Sequence, residues 1–172
     1  GGKGSAPAAE RWLVYRDPRV IVIGVTYGVL GMSYIVQAIF TVSFAEASGM
    51  ASSTAGWLFA MSGLLAVVAG PLWGRLSDSW GRGNTLLLTI SLVTAAMAIP
   101  LLSQGLAAFF LHFFLFGCTI NGAFTMVQAA STDQVVEDQI PIAISYATLF
   151  FAGGQFLGPA IAGWLIEAGG FK

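Results

Sequence analysis

The stretch Gly74-Arg75-Leu76-Ser77-Asp78-Ser79-Trp80-Gly81-Arg82 is a short charged segment between two long apolar runs. Thr54 to Trp73 on its near side and Thr85 to Ser103 on its far side contain no charged side chain. Each run has the roughly 20 apolar residues that are needed to cross the hydrocarbon core of a bilayer. The segment is therefore predicted to be a loop that joins two transmembrane helices.

The composition of the whole chain supports a membrane protein. Hydrophobic residues make up 56% of the 172 residues, charged residues only 9%, and the mean hydropathy is +0.81. Such a chain has too little polar surface to cover a soluble globule, so the lipid bilayer is an expected partner and nucleic acid is not. The 22 glycines fit the same class, because small residues let membrane helices approach closely.

Five uncharged runs are long enough to span a membrane, and short connections join most of them. Exposed irregular backbone is not tolerated in lipid, so the predicted fold class is an all-α polytopic transmembrane helix bundle. Residues 1–19 are predicted to be a cytoplasmic tail or linker, and residues 20–172 the transmembrane part. The predicted spans are about Val20 to Phe44, Thr54 to Trp73, Thr85 to Ser103, Leu106 to Ala130 and Ile140 to Ile166.

The basic residues predict how the chain lies in the membrane. Six of the seven Lys and Arg residues fall in the N-terminal tail or between the second and third spans. By the positive-inside rule that side is cytoplasmic, which places the N-terminus inside and the end of the fifth span outside. We expect a multi-pass protein of a bacterial inner membrane. The basic residues are Lys3, Arg11, Arg16, Arg19, Arg75, Arg82 and Lys172.

The charged segment resembles motif A of the major facilitator superfamily of secondary transporters, which runs Gly-x-Leu-small-Asp-basic-aromatic-Gly-Arg-basic. Ser79 and Gly83 stand where that motif has basic residues. Members consist of two six-helix halves with the substrate site between them. The resemblance implies that the five spans belong to one such half, whose sixth helix lies outside this chain. The matching residues are Gly74, Leu76, Ser77, Asp78, Gly81 and Arg82.

In that superfamily the motif acts as a conformational switch, since its Asp pairs with a motif Arg and faces the positive N-terminus of a helix in the opposite half. The resemblance assigns this role to Asp78. The alternative is a solvated pair of charges, worth roughly 0 to 1 kcal/mol. The predicted switch residues are Gly74, Arg75, Asp78, Gly81 and Arg82.

The fifth span has small residues at Gly154, Gly158 and Ala162, which share one helix face and predict close helix packing. Pro159 cannot donate a hydrogen bond to the carbonyl of Gln155, so a bend near Gly158 is expected. The segment resembles the Gly-Pro motif C of facilitator antiporters and the Gly-Gln-x-x-Gly-Pro pattern of the YbfB/YjiJ-like branch. A kinked, closely packed helix without direct chemistry is the alternative.

Polar side chains form one stripe on the first span and another on the fourth. First and fourth helices line the cavity in the superfamily, so the resemblance makes both stripes candidates for substrate contact; interhelical hydrogen bonds worth roughly 0.6 to 2 kcal/mol are the alternative. His112 projects away from the second stripe and is interpreted as an interfacial residue rather than a proton relay. The stripes comprise Tyr27, Tyr34, Gln37 and Thr41, and Asn121, Thr125 and Gln128; the substrate candidates are Tyr34, Gln37, Asn121 and Gln128.

None of the five runs contains Asp, Glu, Lys or Arg, so no carboxylate that could couple transport to an ion is present in them. A single His, a single Cys and the absence of a phosphate-binding loop argue against an enzyme, a metal site or a cofactor. Cys118 is interpreted as a small buried residue.

Two functions from different classes remain. The first is secondary transport of a small solute by alternating access, with this chain as one half of the transporter. The tail Glu10 to Arg19 looks like the linker into a C-terminal half, and an N-terminal half is the alternative. The second function is a structural or assembly subunit that packs against another membrane subunit. The expected partners are therefore a small-molecule solute, the bilayer, and the other half or another subunit.

Overall fold

The computed structural model describes residues 12–169, and nearly all of them belong to helices that are joined by short connections. This part of the chain contains no strand, which confirms the all-α class. Predictions for residues 1–11 and 170–172, including those for Lys3, Arg11 and Lys172, lie outside the described residues. The five long helices are α1 (Pro18–Ala47), α2 (Ser52–Trp80), α3 (Arg82–Leu102), α4 (Leu106–Thr132) and α5 (Ile140–Gly169).

Each long helix corresponds to one of the predicted spans, and the limits agree to within a few residues, apart from the end of α2. All five are long and apolar enough to cross a membrane. Two short 3₁₀ helices complete the described chain: Trp12–Arg16 precedes α1 and Glu137–Gln139 precedes α5. Five membrane-length helices joined by short connections satisfy nearly all backbone polar groups internally, as the bilayer requires.

The prediction of a loop at the charged segment is wrong for most of its length. Residues 74–80 form the last two turns of α2, and Gly81 alone separates α2 from α3. No proline interrupts these turns, and the polar end of a membrane helix can continue into the hydrated headgroup region. Gly81 ends α2 with φ of +91°, and its N–H donates to the carbonyl of Ser77 at 2.9 Å.

The described chain divides into two compact units. The terminal unit comprises residues 12–36 and 127–169, and the central unit comprises residues 37–126. Helices α1 and α4 each contribute one segment to both units. In the terminal unit, Val14, Val20 and Ala143 form a small buried cluster, and the rings of Tyr15 and Tyr146 meet edge to face at 4.9 Å.

Glycines allow a close helix contact in the terminal unit, between α1 and α5. A Cβ atom on Gly154 would overlap the carbonyl oxygen of Gly28. One turn later, a Cβ on Gly158 would lie 3.1 Å from the carbonyl oxygen of Met32. The two backbones are therefore in contact, which gives the van der Waals attraction that holds membrane helices together.

Helices α2 and α4 approach one another in the same way in the central unit. A Cβ on Gly117 would lie 2.5 Å from the carbonyl oxygen of Ser62. A Cβ on Gly122 would overlap the ring of Trp73, whose indole Nε1 donates to the carbonyl of Cys118 at 2.7 Å. The side chain of Trp73 thus packs directly against Gly122, and the hydrogen bond of its indole to Cys118 holds it there.

Three of the long helices contain an internal proline: Pro71 in α2, Pro100 in α3 and Pro159 in α5. A proline has no N–H, so the carbonyl four residues earlier loses its helical donor. The carbonyls affected belong to Val67, Ala96 and Gln155. In lipid such a group needs a substitute donor or water, and the substitute for Ala96 defines part of the site described next.

Candidate functional site

His112 on α4 lies in the central unit with 1% of its surface exposed. Its Nδ1 lies 2.7 Å from the carbonyl oxygen of Ala96 on α3. Its Nε2 lies 3.5 Å from the amide Nε2 of Gln37 on α1, a long hydrogen bond between two buried side chains. The imidazole therefore joins three helices.

The contact with Ala96 determines which nitrogen of the neutral ring carries the proton. A carbonyl oxygen can only accept, so at 2.7 Å the Nδ1 atom must be the donor. This N–H replaces the helical donor that Pro100 cannot supply to the carbonyl of Ala96. The Nε2 atom of the neutral ring then has a lone pair, which accepts from the amide of Gln37.

Aromatic side chains enclose the same ring. The Phe113 ring meets the imidazole edge to face at 5.0 Å, and the Phe116 ring stacks on it at 5.9 Å. Both phenylalanines are buried, with 0% and 3% exposure. The imidazole is thus separated from water by apolar groups, except at its two hydrogen-bonded nitrogens.

Asn121 on α4 directs its side chain to α2. Its amide Nδ2 donates to the carbonyl of Ala66 at 2.7 Å. That carbonyl precedes Val67, whose own carbonyl lacks a helical donor because of Pro71. Asn121 therefore hydrogen-bonds to α2 beside the point where a proline interrupts the backbone ladder.

Gln128 on α4 directs its side chain to α1 within the terminal unit. Its amide Nε2 donates to the phenolic oxygen of Tyr27 at 2.8 Å. Tyr27 is 5% exposed, and its ring packs against that of Phe151 on α5 at 4.5 Å. The polar stripes predicted on the first and fourth spans thus meet at this pair.

The four predicted substrate residues are divided between the two units. Tyr34, which is half-buried, and Gln128, which is exposed, belong to the terminal unit; Gln37 and Asn121 belong to the central unit. Gln37, Asn121 and Gln128 each contact a neighbouring helix through a hydrogen bond. Their convergence on one cavity stays a prediction.

The predicted switch residues lie where α2 ends and α3 begins. Arg75 and Asp78 are exposed, and a Cβ at Gly74 would meet no atom within 4 Å. Ser77 is 4% exposed, and its hydroxyl accepts from the Nη1 atom of Arg82 at 3.5 Å. The side chains of Arg75 and Asp78 thus face away from the packed interior of the central unit, whereas Arg82 contacts buried Ser77.

Two features of the site were missed by the sequence analysis. His112 was interpreted as interfacial, although its place in an apolar run opposite a proline-containing helix was a signal for burial. The packing roles of Gly117 and Gly122 on α4 were not predicted from the sequence either. No group of three His, Cys, Asp or Glu side chains suited to a metal ion occurs within residues 12–169.

The helices and their buried polar contacts define an integral, multi-pass membrane protein. The sequence profile of the Major Facilitator Superfamily matches residues 21–172, and the chain belongs to that family. This confirms the superfamily that the resemblance of motif A indicated.

Named transporters are among the similar proteins. Multidrug resistance protein MdtG of Dickeya zeae is 29% identical over 117 residues, which cover 68% of this chain and 28% of that protein. Solute carrier family 67 member A1 of Homo sapiens is 31% identical over 130 residues, which cover 72% of this chain and 30% of that protein. Organic anion transporter 3 of Mus musculus is 29% identical over 102 residues, which cover 59% of this chain and 19% of that protein. The matched region thus spans less than a third of each relative.

Proposed function

We propose that the chain supplies one half of a secondary transporter that moves a small solute across a membrane by alternating access, and that it is not an enzyme. The observation that carries this proposal is the family match over residues 21–172, which includes all five long helices except the first three residues of α1. The matched parts of the relatives, 28%, 30% and 19% of their lengths, fit a chain that supplies part of such a protein.

The proposed solute site is formed by Tyr34, Gln37, Asn121 and Gln128. In the conformation described, the amides of Gln37, Asn121 and Gln128 are engaged with a ring nitrogen, a carbonyl and a phenol respectively. A polar solute would exchange these interhelical hydrogen bonds for its own when the helices separate. Such an exchange avoids leaving the buried amide of Gln37 unsatisfied in either state, which would cost about 1 to 3 kcal/mol.

The proposed conformational switch is Asp78, acting with Gly74, Arg75, Gly81 and Arg82. Support comes from the exposure of Asp78 and Arg75 at the end of α2. The open space beside Gly74 adds to it, since no described atom would meet a Cβ there. A helix of the opposite half could therefore approach this corner and present its positive N-terminus to the carboxylate.

The finer assignments are proposals of the same kind. The chain is placed in the C-terminal half because residues 10–19 resemble the linker that leads into that half, and an N-terminal half is the alternative. The Gly154-Gln155 and Gly158-Pro159 pairs favour the YbfB/YjiJ-like branch. The positive-inside rule favours a cytoplasmic N-terminus, and a bacterial inner membrane is the proposed location.

A structural or assembly subunit is the second candidate, and one observation favours it. Three of the four proposed solute residues hold helices together in the described conformation, as residues of a purely structural bundle would. Transport and assembly differ in what happens when these amides are removed. A transporter loses solute affinity, whereas an assembly subunit loses stability or its partner.

The test is solute uptake into vesicles reconstituted with the complete protein. Because the relatives are named for multidrug resistance and for organic anions, the panel should contain lipophilic drugs and organic anions. Uptake should saturate with solute concentration. Asn121→Ala should then raise KM by about tenfold, as expected for the loss of a ligand hydrogen bond of roughly 1 to 1.5 kcal/mol.

Thr148→Ala is the matched control, because its exposed hydroxyl donates to the carbonyl of Ile144 within the same helix. It should leave KM unchanged. If no compound in the panel shows saturable uptake, the transport proposal fails. If Asn121→Ala lowers stability and leaves KM at the value of the unaltered protein, the solute site is wrong and the assembly role is favoured.

A further inference from the structure

We propose that His112 and Gln37 form a proton-binding site inside the membrane, with Nε2 of the imidazole as the atom that takes the proton. The proton-binding step stands on the geometry of the central unit alone. The use of this proton to drive solute movement rests on the transport function proposed above. The experiments below test proton binding and transport separately.

The ring is anchored through one nitrogen, which leaves the other to titrate. Pro100 deprives the carbonyl of Ala96 of its helical donor, and Nδ1–H of His112 takes that place at 2.7 Å. This hydrogen bond is satisfied whether the imidazole is neutral or protonated, because Nδ1 has its proton in both forms. Proton uptake therefore changes only the chemistry at Nε2.

Gln37 is suited to both forms of the ring. When the ring is neutral, the Nε2 lone pair accepts from the amide NH₂ of Gln37, as the 3.5 Å contact shows. When a proton from water binds that lone pair, Nε2 becomes a donor and the imidazole gains one positive charge. A half-turn of the Gln37 amide then presents its oxygen as the acceptor, so an N–H···O hydrogen bond replaces the N–H···N hydrogen bond, and the hydronium ion that gave the proton leaves as water.

The positive charge links the proton to conformation. An ionised side chain in the hydrocarbon region is costly unless it reaches a partner or water. His112 is 1% exposed and packs against the rings of Phe113 and Phe116. The described conformation, in which Nε2 contacts Gln37 and not water, therefore favours the neutral ring. A proton would favour any conformation in which Nε2 reaches water, because a ligand shifts populations by its different affinity for the two states.

The charged groups nearest along the packed helices do not neutralise the ring. Glu46 is nine residues from Gln37 on α1, about 13 Å along the axis, and Arg82 is 14 residues from Ala96 on α3, about 21 Å. The ring nitrogens face the Gln37 amide and the Ala96 carbonyl. The remaining titratable or charged residues on the four helices of the central unit are Arg19, Tyr27 and Tyr34 on α1, Arg75 and Asp78 on α2, and Cys118 on α4.

The chain has a single histidine, which allows a direct test. Protein labelled with ¹⁵N in the imidazole and in the Gln side-chain amides is placed in lipid bilayers, and nitrogen spectra are recorded from about pH 9 to pH 4. His112→Gln and Gln37→Leu identify the two sets of signals. At high pH we expect the Nδ1–H tautomer. On acidification Nε2 should become protonated, and the Gln37 amide signal should change with the same midpoint.

Two outcomes of that titration would overturn the site: a ring that stays in the neutral form while the protein remains folded, or a ring that titrates while the Gln37 amide signal stays fixed. Pro100→Ala provides a second variant that need not disturb packing. It restores a helical donor to the carbonyl of Ala96, so the Nδ1 proton should exchange with water faster than in the unaltered protein.

The coupling is tested in vesicles with a pH gradient. One proton per solute and a gradient of one pH unit support up to about tenfold accumulation. His112→Gln should abolish this accumulation while retaining exchange of labelled for unlabelled solute, and Thr148→Ala should leave both unchanged. Full accumulation in His112→Gln would overturn the coupling. If the unaltered protein moves no solute, transport fails, and the nitrogen titration still decides the proton site.

Discussion

At the scale of single residues, Gly81 decides where two helices separate. Its φ of +91° with ψ of 146° lies in a region that is essentially restricted to glycine. The hydroxyl of Thr85 donates to its carbonyl at 3.0 Å, and its own N–H donates to the carbonyl of Ser77. The corner between α2 and α3 is thus fixed by one residue whose side chain must be a hydrogen atom.

Gly81→Ala is therefore expected to destabilise the protein by about 1 to 3 kcal/mol, the usual cost of forcing a side chain into that backbone region. Gly83→Ala is the control, because residue 83 is helical and a Cβ there meets no atom within 4 Å. Thermal unfolding in detergent compares the two variants. Equal melting temperatures would show that the corner relaxes to another conformation at no cost.

His112 shows what could be foreseen at this scale and what could not. Its sequence position within an apolar run was visible, and so was Pro100 in the preceding run. The register that brings the imidazole to the carbonyl of Ala96 depends on how α3 and α4 pack, and no local pattern specifies that. A buried histidine and an interfacial histidine look alike until the packing is known.

At the scale of helices, the prediction of five spans was accurate because lipid imposes a simple rule. A segment must be apolar over about 20 residues and must satisfy its own backbone. The ends were predicted less well, since α2 continues through Trp80 while its uncharged run stops at Trp73. Charge marks the limit of the hydrocarbon core, whereas a helix ends where its backbone conformation changes, as at Gly81.

The contact between α1 and α5 gives a prediction at this scale. Gly154→Ala would force a methyl group onto the carbonyl of Gly28 and should destabilise the protein by about 1 to 3 kcal/mol, as overpacking usually does. Gly153→Ala is the adjacent control, since its Cβ would meet nothing within 4 Å, and its effect should stay within about 0.5 kcal/mol.

Unfolding of both variants in the same detergent provides the measurement. A Gly154→Ala protein as stable as the Gly153→Ala protein would mean that α1 and α5 can move apart without loss. The close approach of these helices would then be incidental to stability, and the small residues of α5 would need another explanation.

At the scale of the whole molecule, family membership follows from the profile match, whereas the orientation in the membrane is a prediction from charge. Six of the seven basic residues were assigned to one side. Which side is cytoplasmic depends on the positive-inside rule alone.

Cysteine labelling tests that orientation. In a Cys118→Ala background, a cysteine replacing Asn84 should react with a membrane-impermeant reagent only from the cytoplasmic side, and one replacing Gly105 only from the outside. Both positions are exposed, so reactivity reports the side of the membrane rather than burial. The reverse pattern would invert the proposed orientation.

Alternating access is the central claim, and counterflow of solute in vesicles containing the complete protein tests it most directly. A carrier that must reorient with or without solute should take up labelled solute several-fold faster when the vesicles are preloaded with the unlabelled compound. Asp78→Asn should slow this exchange while leaving membrane insertion intact, because the carboxylate is exposed and only its charge is lost. Uptake that is saturable and stimulated by preloading is the predicted result; uptake that is absent, or that is indifferent to preloading and to Asp78→Asn, would contradict the account.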